Sequence, residues 1–259
     1  MSAIVVILSD THFGGFTAVS PPEVQTDGGQ IVKGNAAQAW LYAIWMQEYA
    51  AVKKRAAGRR VIVVHCGDVI EGEHHDALAH LPDVKDQEAL AVTMLTPWRN
   101  LAEKFYIVKG TEAHAANQHM SERRIARELS ATALDFHLRL DVDGALCDFA
   151  HHSTGTPRTI GLQVVEDCIS DGQPIPKFIF RGHRHFITDS GDTWPNMRVL
   201  TLPSWQLRTS YGWKISPNKR ASIGLVLIDD SKLELRRYAP KADPIRKALA
   251  DRGRTGCAC

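Results

Sequence analysis

The chain lacks any long hydrophobic run. No apolar stretch approaches the roughly 18 residues that a membrane-spanning helix needs, so no membrane association is expected. No basic segment precedes the first apolar run, Ala3–Leu8. That run therefore reads as a buried strand and not as a secretory leader. Charge of one sign is lacking too. The 31 Lys and Arg nearly balance 29 Asp and Glu, leaving +2, so composition alone gives no argument for nucleic acid. Cysteine is scarce and odd in number, with five in the chain. Its spacing matches neither a disulfide framework nor a zinc finger, and a reduced, cytoplasmic setting is expected. Cys257 and Cys259 form a Cys-x-Cys pair, read as part of a loose tail. Internal repeats and low-complexity segments are absent as well.

What is present is a globular composition, 44% hydrophobic and 23% charged. It fits one domain over residues 1–240 followed by a basic tail, 241–259. Along the chain, β-branched runs alternate with helical stretches. Ala3–Leu8, Val61–Val64 and Phe105–Val108 read as strands. Residues 13–34, rich in Gly and Pro, read as a long loop. Asn35 is placed to cap a helix through Ala57, with Gly58 as its stop. Asp83 is placed to start a helix to Glu103 that Pro97 interrupts or kinks, and Ser121–Leu134 reads as a third helix. Asp143-Gly144 between Phe136–Val142 and Ala145–Ala150 is a hairpin signal. A helix over Thr159–Ile169 precedes strands at Phe178–Phe180, Met197–Leu202, Ile223–Ile228 and Leu233–Tyr238. Strand–helix alternation followed mostly by strands predicts an α/β class: two packed sheets with helices outside.

Five of these strands end in a carboxylate or an imidazole. Asp10 and His12 follow the first, Asp68 the second and His114 the third. His151 and His152 follow Leu146–Ala150, and His183 and His185 follow Phe178–Phe180. The C-terminal ends of strands are where α/β proteins build their sites. Asp-x-His and His-x-His each put two ligands on one side of a strand end, because side chains repeat with a period of two. This mixture of carboxylate and imidazole suits first-row divalent metals: manganese, iron, zinc or nickel. There are enough ligands for two ions sharing a bridging carboxylate, the arrangement that clamps the attacking and leaving oxygens of a phosphoryl displacement.

Asp10-Thr11-His12, Gly67-Asp68, the Gly110–His114 stretch, His151-His152 and Gly182-His183-Arg184-His185 together resemble the calcineurin-like metallophosphoesterase superfamily over about residues 3–205. The resemblance implies a four-layer α/β/β/α sandwich of two mixed β-sheets flanked by helices. It implies a first metal on Asp10, His12 and His185, a bridge at Asp68, and a second metal on His183 with one of His151 and His152. His151 comes first after its strand and is favoured. The two divalent ions would be Mn2+ first, with Fe, Zn or Ni as alternatives. The family usually has Gly-Asn-His followed by an acid where this chain has Gly110-Thr111-Glu112-Ala113-His114. The Asn role falls to Thr111 or Glu112 with His114 protonating the leaving group, or else His114 or Glu112 is itself a ligand. This variant form is similar to that of some phage and prophage members.

The implied activity is hydrolysis of a phosphate ester by a metal-activated water. Phosphodiesters are preferred as substrate, whether nucleic acid, a cyclic nucleotide or a small nucleotide; phosphomonoesters are the alternative. A scaffold that kept the fold without catalysis is the reading from another class, and the filled ligand positions count against it. His74 and His75, a few residues after Asp68, and Arg184 between two ligands are candidates for substrate contact. His65, His80, His119 and His137 are read as structural, and Trp194, Trp205 and Trp213 as core before base-stacking groups. Nothing in the sequence indicates the oligomeric state.

Overall fold

Burial along the strands sets the layering. The computed structural model describes residues 2–73, 79–115, 119–152, 154–208 and 221–240. The first strand, β1 (Ile4–Leu8), is buried at every position, as expected of a central strand covered on both faces. Ile4, Val6 and Leu8 join one apolar cluster, while Val5 and Ile7 join another. A hairpin of β2 (Glu23–Gln25) and β3 (Ile31–Lys33) follows, and then helix α1 (Ala36–Ala56). Asn35 and Gln38 cap α1 reciprocally in a capping box, and the chain leaves it through Ala57 at φ 41°. Next come β4 (Val61–Cys66), α2 (Val84–Leu101) and β5 (Lys104–Val108). α3 (Met120–Glu128), β6 (Ala133–Asp135), β7 (His137–Val142) and β8 (Ala145–Ala150) complete the middle of the chain. The last part holds α4 (Pro157–Ser170), β9 (Phe178–Arg181), β10 (Thr188–Asp189), β11 (Arg198–Thr201), β12 (Ile223–Asp229) and β13 (Lys232–Tyr238).

Two mixed sheets result. One has the order β13-β12-β1-β4-β5-β6 and the other β10-β11-β9-β8-β7. Val5, Ile7, Val64 and Val226 of the first pack against Cys147, Phe149, Phe178 and Leu200 of the second. Helices α1, α2 and α3 cover the outer face of the first sheet, and α4 that of the second. The layers are therefore α/β/β/α, as expected. Trp45 of α1 centres the first outer layer. It meets Phe13, Trp98 and Trp205 edge-on, with ring centroids 4.8–5.9 Å apart. Trp205 is thus core, and Trp194 packs in the layer under α4.

Three expectations change. The helix expected over 121–134 ends at Glu128. Ser130 turns left-handed at φ 47°, and Ala133–Asp135 instead satisfies the open backbone edge of β5 as a parallel strand. Residues 13–34 contain a hairpin, with Val24 facing Val32 and a tight turn closed by Gly29 N–H on Thr26 O. Pro97 lies inside α2 without ending it. Asp143 and Gly144 both take positive φ, 51° and 82°, as a two-residue hairpin turn requires. Among the described residues no helix is long and apolar enough to cross a membrane.

One buried carboxylate ties the second sheet together. Asp148 of β8 accepts from Arg181 Nη1 and His137 Nε2, each at 2.7 Å. Burial raises its pKa, but the His137 and Arg181 contacts outweigh this and hold it below the usual value. A depressed carboxylate stabilises above its unfolded pKa and loses that contribution as pH falls through the folded one. Asp148→Asn is expected to cost about 3–5 kcal/mol at pH 7, because Arg181 is left buried without its partner. Urea melts from pH 7 to 3 should show the gap to wild type narrowing below about pH 4, near the unfolded carboxylate value.

Candidate metal centre

The C-terminal ends of β1, β4, β5, β8 and β9 meet on one rim, and the chain turns sharply there. Asp10, His12, Asp68, His183 and His185 all have φ between 45° and 68°. Left-handed backbone is uncommon for residues with a side chain and clusters at functional sites. Backbone bonds hold these turns: Asp10 N–H to Gly67 O and His12 N–H to Asp68 O, both 3.1 Å. His183 N–H donates to the Asp10 carboxylate at 3.1 Å, tying the two sheets directly.

Three overlapping donor groups form. They are Asp10, His12 and His185; His12, Asp68 and His114; and Asp68, His151 and His183. His12 Nε2 and His185 Nε2 are 3.0 Å apart, and His185 Nε2 is 3.3 Å from Asp10 Oδ1. Asp68 Oδ2 is 3.1 Å from His151 Nε2 and 3.9 Å from His12 Nε2. Its other oxygen, Oδ1, accepts from Thr111 N–H at 2.6 Å and Thr111 Oγ1–H at 2.9 Å. Asp68 therefore keeps one oxygen occupied by the chain and turns the other toward both histidine sets.

Tautomers are fixed from behind. His151 Nδ1 donates to Cys66 O at 2.7 Å and His114 Nδ1 to Glu71 O at 2.5 Å. Carbonyls only accept, so each ring presents a lone pair on Nε2 when neutral. Burial lowers the pKa of His151, but the Asp68 carboxylate overrides it and raises the value to about 10. A cation shared between Nε2 and Oδ2 would supply the positive charge that this proton brings. Asp68 is pushed up by burial, yet His151, His114 and His12 hold it well below the usual carboxylate range. His114 is lowered to about 4, by burial first and then by His12. His183 is lowered too, by burial and then by His151. Both shifts favour the neutral ring, the form of histidine that binds a metal. Nitrogen and oxygen donors of this kind fit a first-row divalent ion.

The other sequence candidates lie differently. His152 is exposed, its ring 5.3 Å from that of His151 and 5.5 Å from that of His183, and it belongs to none of the three groups. Glu112 is also exposed and outside them. Arg184 sits between two donors, but its guanidinium donates to Gly155 O and lies over Phe186. His74, His75, Trp213 and the tail 241–259 lie outside the described residues.

Two buried acids were not legible in the sequence. Glu71 Oε2 is 3.3 Å from His12 Nδ1 and accepts from Gln206 Nε2 at 2.8 Å. It orients His12 as its backbone carbonyl orients His114. Its place three residues after Asp68 is the only trace of it in the sequence. Glu122 of α3 accepts from Gly110 N–H at 2.7 Å and His119 Nδ1 at 2.8 Å. A side chain at Gly110 would strike Asp68, so this glycine permits the approach and Glu122 holds it. Glu122→Ala is expected to weaken manganese binding about 10–100-fold, the range seen when partners of metal ligands are removed. Glu122→Gln still accepts from Gly110 and should keep most of the affinity. Chelator-competition titration of both variants measures the difference.

No family model matches the chain, and no curated protein matches it by sequence. Solved structures do match in chain path. An archaeal phosphodiesterase aligns at TM-score 0.46 and 13% identity over 91% of this chain and 98% of its own. YfcE, a phosphoesterase from E. coli, aligns at 0.45 and 13% over 91% and 97%. A metallophosphoesterase from Sphaerobacter thermophilus aligns at 0.42 and 13% over 98% and 95%. The likeness at this level is one of fold.

Proposed function

We propose that the chain is a two-metal phosphoesterase that prefers phosphodiesters. The observation that carries the reading is the placement of Asp68, which belongs to two of the three donor groups and turns one oxygen toward both. Asp10, His12 and His185 would hold one ion, His151 and His183 the other, with Asp68 between them. Two such ions supply Lewis acidity toward a phosphoryl oxygen and an acidified water.

The chain's own residues do the rest. Glu71 and the Cys66 carbonyl fix which nitrogen each of His12 and His151 offers. Thr111 holds the Asp68 carboxylate with Oδ2 turned toward His12 and His151. His114 is neutral at pH 7 and offers a lone pair beside His12 and Asp68. On this reading His114 would serve as a further ligand and not as the acid for the leaving group. His151, buried against Asp68, takes the ligand role over the exposed His152.

The test uses metal-stripped protein with added manganese, on bis-p-nitrophenyl phosphate and on p-nitrophenyl phosphate. Manganese-dependent turnover, faster on the diester, is expected. Asp68→Asn should lower manganese retention and turnover by more than about a hundredfold, beyond the loss seen for partners of ligands. Wild-type turnover in Asp68→Asn would end the two-metal reading. Faster monoester turnover would make the protein a phosphatase, and failure to bind any metal would favour a scaffold.

A further inference from the structure

Among the described residues, Phe136 is the one phenyl, indole or phenol side chain that is exposed; every other Trp, Tyr and Phe is buried or half-buried. The residue keeps 54% of its surface accessible. Large aromatic rings carry the greatest incentive to be covered, so the location of this one is informative.

Phe136 lies where the chain passes from the first sheet to the second. On one side, β6 ends at Asp135, paired with Val108 of β5, and Lys109 N–H donates to Asp135 O. Lys109 precedes Gly110, whose N–H is held by Glu122, and Thr111, which donates to Asp68. On the other side, His137 of β7 pairs with Ala150 of β8. One residue beyond that pair on each strand stand Phe136 and His151. The residue therefore stands between the chain segments that lead to Thr111 and to His151.

Its orientation is also fixed. Lys109 Nζ sits 4.2 Å from the ring centroid, a cation–π contact. His119 meets the ring edge-on at 5.0 Å and 86°, and His119 is itself held by Glu122, the acid on Gly110. An exposed aromatic surface and an ammonium thus stand together beside the donor groups. A planar apolar ring with a nearby cation fits a ligand that joins a planar aromatic group to an anion, as a nucleotide does.

We infer that Phe136, with Lys109, forms a nucleobase-binding subsite beside the metal centre, so that the substrate is a nucleotide-bearing phosphodiester. This rests on the phosphoesterase reading and narrows it. The base lies against the Phe136 ring while its phosphate sits at Asp68 and the histidines. Stacking of this kind tolerates any base, because every base has a π face.

Two readouts separate this inference from the reading beneath it. The first is calorimetric titration of the manganese-loaded protein with adenosine 5′-monophosphate and with ribose 5-phosphate, which lacks the base. The wild type should bind the nucleotide about tenfold more tightly. Phe136→Ala should remove that preference and leave ribose 5-phosphate within about twofold, as expected when only stacking is lost. Phe136→Leu keeps the bulk without the aromatic face and should behave like Phe136→Ala, while Phe136→Tyr should retain the preference. The second readout is kcat/KM for the p-nitrophenyl ester of thymidine 5′-monophosphate against methyl p-nitrophenyl phosphate. The substitution should raise KM for the nucleotide ester alone. Equal affinity of the wild type for nucleotide and ribose phosphate would overturn the subsite, as would equal losses on both ligands in Phe136→Ala. A base preference without hydrolysis of either ester would uphold the subsite and sink the phosphoesterase reading.

Discussion

The structure is organised around the burial of one negative charge, the carboxylate of Asp68. A carboxylate that is 1% exposed is costly unless it is paired and hydrogen-bonded. Here Thr111 satisfies one oxygen and His151 and His12 face the other. Each of these partners is itself anchored. His151 is held by the Cys66 carbonyl, His12 by Glu71, and Thr111 by a loop whose Gly110 is held by Glu122. Because every partner must reach the same two oxygens, loops from both sheets converge on one point. The left-handed turns at Asp10, His12, Asp68, His183 and His185 are the local cost of that convergence.

The two sheets make the convergence possible. Their shared apolar layer, with Phe149, Phe178 and Phe180 facing Val5, Ile7 and Val64, fixes the separation of the strand ends. Asp148 acts on the same geometry from the opposite face. It holds Arg181 at the end of β9, two residues before His183. The link from His183 N–H to the Asp10 carboxylate then closes the rim. A rigid sandwich carrying donors on its loops places them more precisely than a loop could alone.

The strands and most helices were legible in the sequence, because their causes are local. Ile4–Leu8 is apolar throughout and Val61–Cys66 is apolar but for His65, Asn35 and Gln38 form a capping box within four residues, and Asp143-Gly144 is its own turn signal. β6 was not legible. Ala133–Asp135 has no strand pattern and is a strand only because β5 offers it an unpaired edge. The donor residues could be picked out by type and position at strand ends, while their grouping came only through the family resemblance and, for His114 beside His12 and Asp68, only from the structure. Glu71 and Glu122 resemble any other acid in the chain until Gln206, His12 and Gly110, up to 135 residues away, are brought beside them.

The sequence by itself determined most of the elements that form, which residues carry metal-binding chemistry, and that those residues follow strands. Periodicity, capping and turn preference act over a few residues and are written in order along the chain. Only the tertiary structure decided that His151 and not His152 faces Asp68, that His114 joins His12 and not the solvent, and that Phe136 stays exposed between two loops. Those outcomes depend on the crossing of β4, β5 and β8 ends from two sheets. The physical quantities that settle them are burial and distances of about 3 Å between side chains far apart in the chain, the scale at which charge pairing in a dry interior becomes strong.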